Sequence, residues 1–263
     1  MALVFFAGCQ GKKAIPLGSY YARLDAIPKE RWEALAQKKI FFGHKSVGMN
    51  ILDGLRDVIK ERPLIKLDIR EADDPAAFSS PVFAHALVGT NSKPETKIER
   101  FQEIMRTGVG EAVDIAMLKF CFVDVGHSTD IEALAQSYAE GLDLLSGEFP
   151  GVKFVAFTVP LFSDPVGWKN NLKKLLGRLP FYDADQVQRS LYNDLIRERL
   201  KGSLFDIAAV GSRINEGKKA TLKKDGREYE ILYKGYTYDG GHLNLIGRQV
   251  FAIELLIHLA SII

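Results

Sequence analysis

Two short stretches at opposite ends of the chain carry residue types that can do nucleophilic chemistry together. The first is Gly43-His44-Lys45-Ser46, which closes the apolar run "KKIFF" and leads at once into an amphipathic stretch. A strand that ends in a sharp turn and passes into a helix lifts the turn residue to the edge of a sheet, where sites form in open α/β folds. A serine hydroxyl there is weakly nucleophilic until a base takes its proton. The second stretch is Asp239-Gly240-Gly241-His242, just ahead of the apolar C-terminal run. A carboxylate three residues before a histidine can accept from one imidazole nitrogen and leave the other facing a substrate as general base. The same four residues also read as a glycine-rich lead into a helix, with Asp239 as its cap and His242 simply exposed.

Elements that would position these residues are legible between them. Ile40 to Phe42 reads as a first strand, followed by a helix over Val47 to Lys60 with Val47, Ile51, Leu52, Leu55 and Val58 on one face. "LIKLDIRE" from Leu64 reads as a second strand, and the long irregular stretch from Ala72 to Pro94 as a functional loop. Pro94 opens a helix that ends at Gly108. "VDIAMLKFCFVDV" is nearly continuous in apolar residues, as a strand covered on both faces must be. A helix over Asp130 to Leu145, a fourth strand "VKFVAFTVP", a helix over Asp185 to Leu200 and a short fifth strand in "SLFDIAAV" complete the alternation. This order predicts a doubly wound, three-layer α/β/α fold on a five-stranded parallel sheet. Two pieces fall outside it. One is an inserted helix in "FSDPVGWKNNLKKLLGRLP", with Lys173, Lys174 and Arg178 on a solvated face. The other is a hairpin in "ATLKKDGREYEILYKG" turning at Asp225-Gly226.

At 263 residues and 47% hydrophobic content, one large domain over residues 30–263 is expected. Lys plus Arg is 35 against Asp plus Glu 33, a net +2, so no strong field recruits nucleic acid or an anionic membrane surface. The two cysteines, Cys9 and Cys121, sit in unlike contexts and predict no disulfide framework; Cys121 reads as a core residue. "MALVFFAGCQGKK" resembles the end of a bacterial lipoprotein signal, with small residues before a lipidated Cys9, although the charged n-region of such a signal is missing. On that reading residues 1–29 are a signal remnant and tether, and the protein belongs to the cell envelope, lipid-anchored or periplasmic. A cytoplasmic chain with an apolar tail is the alternative. No other segment reads as the 18 to 20 apolar residues of a membrane span.

The chain resembles the SGNH (GDSL-like) hydrolase superfamily, which places its serine after the first strand and an Asp-x-x-His pair before the last helix. Ser46 matches the first position, Asp239 and His242 the second, and the likeness runs over Lys38 to Ala260. "AFTVPL" and "LYNDLIRERLKGSLFDIAAV", with Asn193 and Asp206, resemble the blocks between. The resemblance implies a flavodoxin-like fold, a Ser46-His242-Asp239 triad and no cofactor. It also implies an oxyanion hole built from the N–H groups of Ser46 and of a glycine after the second strand, matched here by Gly89. The chain departs from the family in two places: Gly-Asp-Ser is replaced by Gly43-His44-Lys45-Ser46, and the Gly-x-Asn-Asp that brings an oxyanion asparagine is replaced by "KFCFVDV". Asn91 is the candidate replacement donor, with Asn50 and Lys119 behind it. His44, Lys45 and Asn50 are candidates to line the pocket, and His44 is alternatively a residue bonding the turn. His85, His127 and His258 are structural or surface residues, and no metal site is indicated. The implied activity is hydrolysis of short acyl, O-acetyl esters on an envelope or extracellular glycan. A glycan O-acetyltransferase and a non-catalytic envelope binding protein are the alternatives.

Overall fold

The computed structural model describes residues 17–163, 181–202 and 204–263, with the backbone alone at 181 and 182. Cys9 and the predicted inserted helix with Lys173, Lys174 and Arg178 lie outside the described residues. Six strands, β1 (Lys39–His44), β2 (Ile69–Glu71), β3 (Val82–Leu87), β4 (Ile115–Leu118), β5 (Lys153–Phe157) and β6 (Leu204–Phe205), form one sheet in the order β2-β3-β1-β4-β5-β6. Every pairing in it is parallel.

Alternation along the strands splits the core in two. Ile40 and Phe42 of β1, Met117 of β4 and Val155 of β5 point to a layer made by α1 (Leu17–Asp25), α2 (Lys29–Leu35), α3 (Val47–Glu61) and α9 (Leu245–Ile262). Phe41, Ala116, Leu118 and Ala156 point the other way, to α4 (Pro94–Ile104), α6 (Ile131–Glu148) and α7 (Phe181–Arg199). Successive side chains of a strand alternate between faces, so a strand covered twice needs apolar residues at both parities. The result is the expected three-layer α/β/α architecture. α9 is long and apolar enough to cross a membrane by length and composition, which the sequence reading did not anticipate; most of it is buried in the first layer.

The second strand is where the sequence reading fails. The run from Leu64 contributes only the three-residue edge strand β2, whereas the six-residue strand β3 lies inside the stretch read as a functional loop. Ser79, Ser80 and Pro81 disguise its start, and four of its five buried residues, Val82, Phe83, Ala84 and Ala86, are apolar. The sheet therefore has six strands rather than five, and the stretch read as one loop divides into a β2–β3 connection over 72–81, with a short turn at Pro75–Phe78, and a second connection after Leu87. The Pro94 helix is regular to Ile104; the chain then turns through Met105–Val109, with Gly108 at φ +107, into the single turn α5 (Gly110–Ala112).

After β6 come α8 (Ile207–Ser212), a small antiparallel pair β7 (Arg213–Asn215) and β8 (Lys218–Lys219), and the predicted hairpin β9 (Thr221–Lys224) and β10 (Arg227–Glu230). Asp225 and Gly226 both have positive φ, 48 and 77, as a two-residue hairpin turn requires. Asp206 caps α8 and pairs with Arg197 of α7, and Arg197 also reaches Glu230 of β10, so one ion network fastens the hairpin to the sheet.

Candidate active site

β1 is one of the two central strands, and Ser46 stands two residues beyond its end, immediately before α3. Its backbone sits at φ 50, ψ −108, a conformation that costs a non-glycine residue on the order of 1–3 kcal/mol. Serine is a favoured N-cap, yet the Ser46 side chain makes no cap bond to α3. Its Oγ lies instead 2.7 Å from His242 Nε2.

The opposite nitrogen, His242 Nδ1, lies 2.6 Å from Asp239 Oδ2. An ionised carboxylate has no proton to give, so Nδ1–H donates to it and, in the neutral ring, Nε2 accepts the Ser46 hydroxyl proton. Asp239 Oδ1 accepts the N–H groups of Gly241 at 2.9 Å and His242 at 2.7 Å. Burial pushes the Asp239 carboxyl up, but the Gly241 N–H, the His242 ring and the His242 N–H outweigh it and hold the group below the usual carboxylate range. The helix cap is a different residue: Asn244 accepts from Gly247 N–H at 2.9 Å, which removes the reading of Asp239 as a cap.

Two aromatic rings that sequence reading did not single out set the position of His242. A Cβ on Gly240, which has φ +100, would lie 2.7 Å from the Phe162 ring, and one on Gly241 would lie 2.6 Å from the Phe122 ring. The two glycines let the loop lie flat on these rings, and Phe122 then meets His242 edge to face at 5.7 Å. Tyr238, 69% exposed, stacks parallel to His242 on another side at 6.2 Å. The paired glycines were the available signal that something large packs against this turn.

Of the remaining candidates, Gly89 stands two residues beyond the end of β3, as Ser46 does beyond β1, in strands whose ends are in register at His44 and Leu87. It has φ +59 and packs against the Lys97 backbone. Among the described residues neither the Ser46 N–H nor the Gly89 N–H has a hydrogen-bond partner. Asn91 is exposed, with Oδ1 taken by Lys97 Nζ at 3.1 Å, and no contact joins it to Ser46. Lys119 is fully buried and donates to Phe120 O at 2.7 Å, so it is a support under the site rather than a donor within it. Asn50 Oδ1 accepts from Leu243 N–H at 3.1 Å, a bond that leaves the two Nδ2 hydrogens of the same amide available as donors.

His44 is wholly buried and cannot line a pocket. Its ring stacks on Phe42, shares a 3.2 Å hydrogen bond with His85, and fills the space a Cβ on Gly48 would need. Burial, then Lys119 and His85, push its pKa down to about 2. His44 is thus a neutral prop packed beneath the first turn of α3; it bonds His85 and not the turn, since its Nδ1 has no partner among the described residues. Lys45 is half-buried, and its carbonyl accepts from the Cys121 thiol at 3.5 Å. His127 pairs with Asp185 at 2.9 Å, His258 packs on Phe205, and Asn193 holds the Val159 backbone through both ends of its amide. Among the described residues no cluster of three or more His, Cys, Asp or Glu side chains is placed to hold a metal ion.

No protein-family model matches the chain, and no curated protein matches it in sequence. Solved structures similar to it include a lipase/acylhydrolase from Enterococcus faecalis, at 13% identity over 85% of this chain and 96% of that one, with a TM-score of 0.46. A peptidoglycan O-acetylesterase is similar at 12% identity over 69% of this chain and 47% of that one, TM-score 0.44. The periplasmic domain of a Salmonella ser. Paratyphi A lipopolysaccharide acetyltransferase is similar at 10% identity over 91% and 87%, TM-score 0.43.

Proposed function

We propose that the protein is a serine-dependent acyl esterase of the SGNH type. The observation that carries this reading is the unbroken chain from Ser46 Oγ through His242 Nε2 and Nδ1 to the Asp239 carboxylate, at 2.7 and 2.6 Å. The residues come from opposite ends of the chain and meet at the carboxyl edge of a parallel sheet, where α/β folds place their sites. A cap residue or a surface histidine needs none of this arrangement.

In the proposed reaction His242 takes the Ser46 proton as Oγ attacks the ester carbonyl. Asp239 keeps the imidazole in the right tautomer and steadies the imidazolium that forms. The unengaged N–H groups of Ser46 and Gly89 receive the tetrahedral oxyanion. His242 then protonates the departing alkoxide, and water, activated by the same imidazole, releases the acyl group. A short acyl ester on a glycan, an O-acetyl group above all, is the substrate we propose, in keeping with the sequence resemblance; transfer of the acyl group to a second sugar is the same chemistry with a different acceptor.

The test is turnover of 4-nitrophenyl acetate together with labelling by a fluorophosphonate. Wild type is expected to do both and Ser46→Ala neither, with His242→Ala strongly impaired in both. Equal labelling of wild type and Ser46→Ala would overturn the assignment. Product analysis with an added sugar acceptor separates hydrolysis from transfer.

A further inference from the structure

The loop that carries Gly89 is built on a buried ion pair that the triad does not use. Gly89-Thr90-Asn91-Ser92-Lys93 joins β3 to α4, with left-handed backbone at Gly89 (φ 59) and at Ser92 (φ 63). Gly89 takes that conformation freely, but Ser92 does not and needs a framework that holds it there. Lys97 and Asp124 supply it. Their side chains are fully buried and ion-paired, Lys97 on α4 and Asp124 on the segment after β4.

Each partner has further work. Lys97 Nζ donates to Asn91 Oδ1 at 3.1 Å, and its backbone is the surface on which Gly89 rests. Asp124 Oδ1 accepts the Ser92 N–H at 2.8 Å, and Oδ2 accepts the Cys121 N–H at 2.6 Å. Cys121 leads to the second donor. Its thiol accepts from Lys119 Nζ at 3.9 Å and donates at 3.5 Å to the Lys45 carbonyl, which also accepts the Gly48 N–H at 3.0 Å. The Lys45 C=O and the Ser46 N–H belong to one planar peptide, so fixing the first aims the second. One carboxylate thus fastens both the loop holding the Gly89 N–H and the residue that orients the Ser46 N–H.

We propose that Lys97 and Asp124 are positioning residues for the oxyanion-binding N–H groups of Gly89 and Ser46, with Cys121 as the link to Ser46. The segment that departs from the family pattern, "KFCFVDV", then aims two backbone donors instead of offering a side-chain donor of its own. Stability alone is a poor reason to keep such a pair, because well-packed apolar residues replace buried ion pairs at little or no loss. The proposal rests on the esterase reading of the site and deepens it.

The experiment compares wild type, Asp124→Asn, Cys121→Ala and the double variant Lys97→Met/Asp124→Leu, which removes both charges and leaves neither unpaired. Amide hydrogen exchange is followed at Thr90 and Ser92, whose N–H groups are bonded to Thr96 Oγ1 and Asp124 Oδ1, and kcat and KM are measured with 4-nitrophenyl acetate. In the double variant, with its near-UV circular dichroism preserved, exchange at these amides is expected to rise at least ~10-fold, while kcat falls ~10- to 100-fold and KM stays within about twofold. Cys121→Ala is expected to lower kcat while leaving the Thr90 and Ser92 amides protected. A folded double variant with unchanged exchange or unchanged kcat overturns the proposal. A wild type that neither turns over ester nor labels at Ser46 overturns the esterase reading instead, and the exchange data still decide whether the pair holds the loop.

Discussion

Asn50, one turn into α3 beyond Ser46, accepts a hydrogen bond from the backbone N–H of Leu243, the residue after His242, at 3.1 Å. The helix that begins at the serine therefore also grips the loop that brings the histidine. Ser46 and His242 are held to a common element, and their 2.7 Å contact is not left to two side chains alone. Asn50→Ala is expected to lower kcat by about 10- to 100-fold through misplacement of the imidazole and to cost about 1 kcal/mol of stability. Asn50→Asp keeps the acceptor and should stay near wild type. Steady-state kinetics and urea unfolding of the two variants measure the effect.

Gly241→Ala tests the aromatic seat. The added methyl would lie 2.6 Å from the Phe122 ring, so either the ring or the loop bearing His242 must move. A fall in kcat of about 100-fold is expected. Gly241→Ala/Phe122→Leu should recover part of it, because residues in contact do not act additively.

Asp239→Asn should leave the fold intact and lower kcat by up to about 10,000-fold, since an amide can hold the imidazole in the wrong tautomer. The Asp239 carboxyl is held below the usual carboxylate range. It is therefore ionised throughout the neutral and mildly acidic range, and a pH–rate profile of the wild type should carry no inflection from it above about pH 4.

Stability should depend on pH through the buried histidines. The His44 pKa is depressed to about 2, and His85 and His258 are shifted the same way, each chiefly by burial. An unfolded chain takes up protons at these residues below about pH 6.5 while the folded chain does not, so stability is complete above that pH and is lost as pH falls beneath it. For His44 alone the loss is about 2 kcal/mol at pH 5. Urea unfolding at pH 7 and pH 5 should show a loss smaller by about that amount in His44→Leu than in wild type.

The three-layer architecture and the meeting of Ser46 with Asp239 and His242 were legible because each rests on a local pattern: apolar strands at both parities, a serine at a strand-to-helix turn, an acid three residues before a histidine. What escaped was set by contacts distant in sequence. β3 is preceded by Ser79-Ser80-Pro81 and contains His85, whose polarity makes sense only once the wholly buried His44 ring lies beside it. Asn91, Asn50 and Lys119 could each be named as a donor because an amide or an ammonium shows that capacity in any sequence. Their actual partners, Lys97, Leu243 and Phe120, are fixed by tertiary packing. Phe122 and Phe162 carried no signal of their own beyond the glycines that face them.

Ser46 and His242 are separated by 196 residues, and the strand that presents the serine is an interior one, third of the six in the sheet. The reactive pair exists only when nearly the whole chain has been made and packed, since β1 needs neighbours on both sides and His242 needs α9 docked on α3. A polypeptide still emerging from the ribosome, or one trapped with its last helix loose, has Ser46 without His242 beside it. Long-range closures of this kind form late in folding. Acyl-transfer chemistry in this protein would thus double as a report that folding has finished.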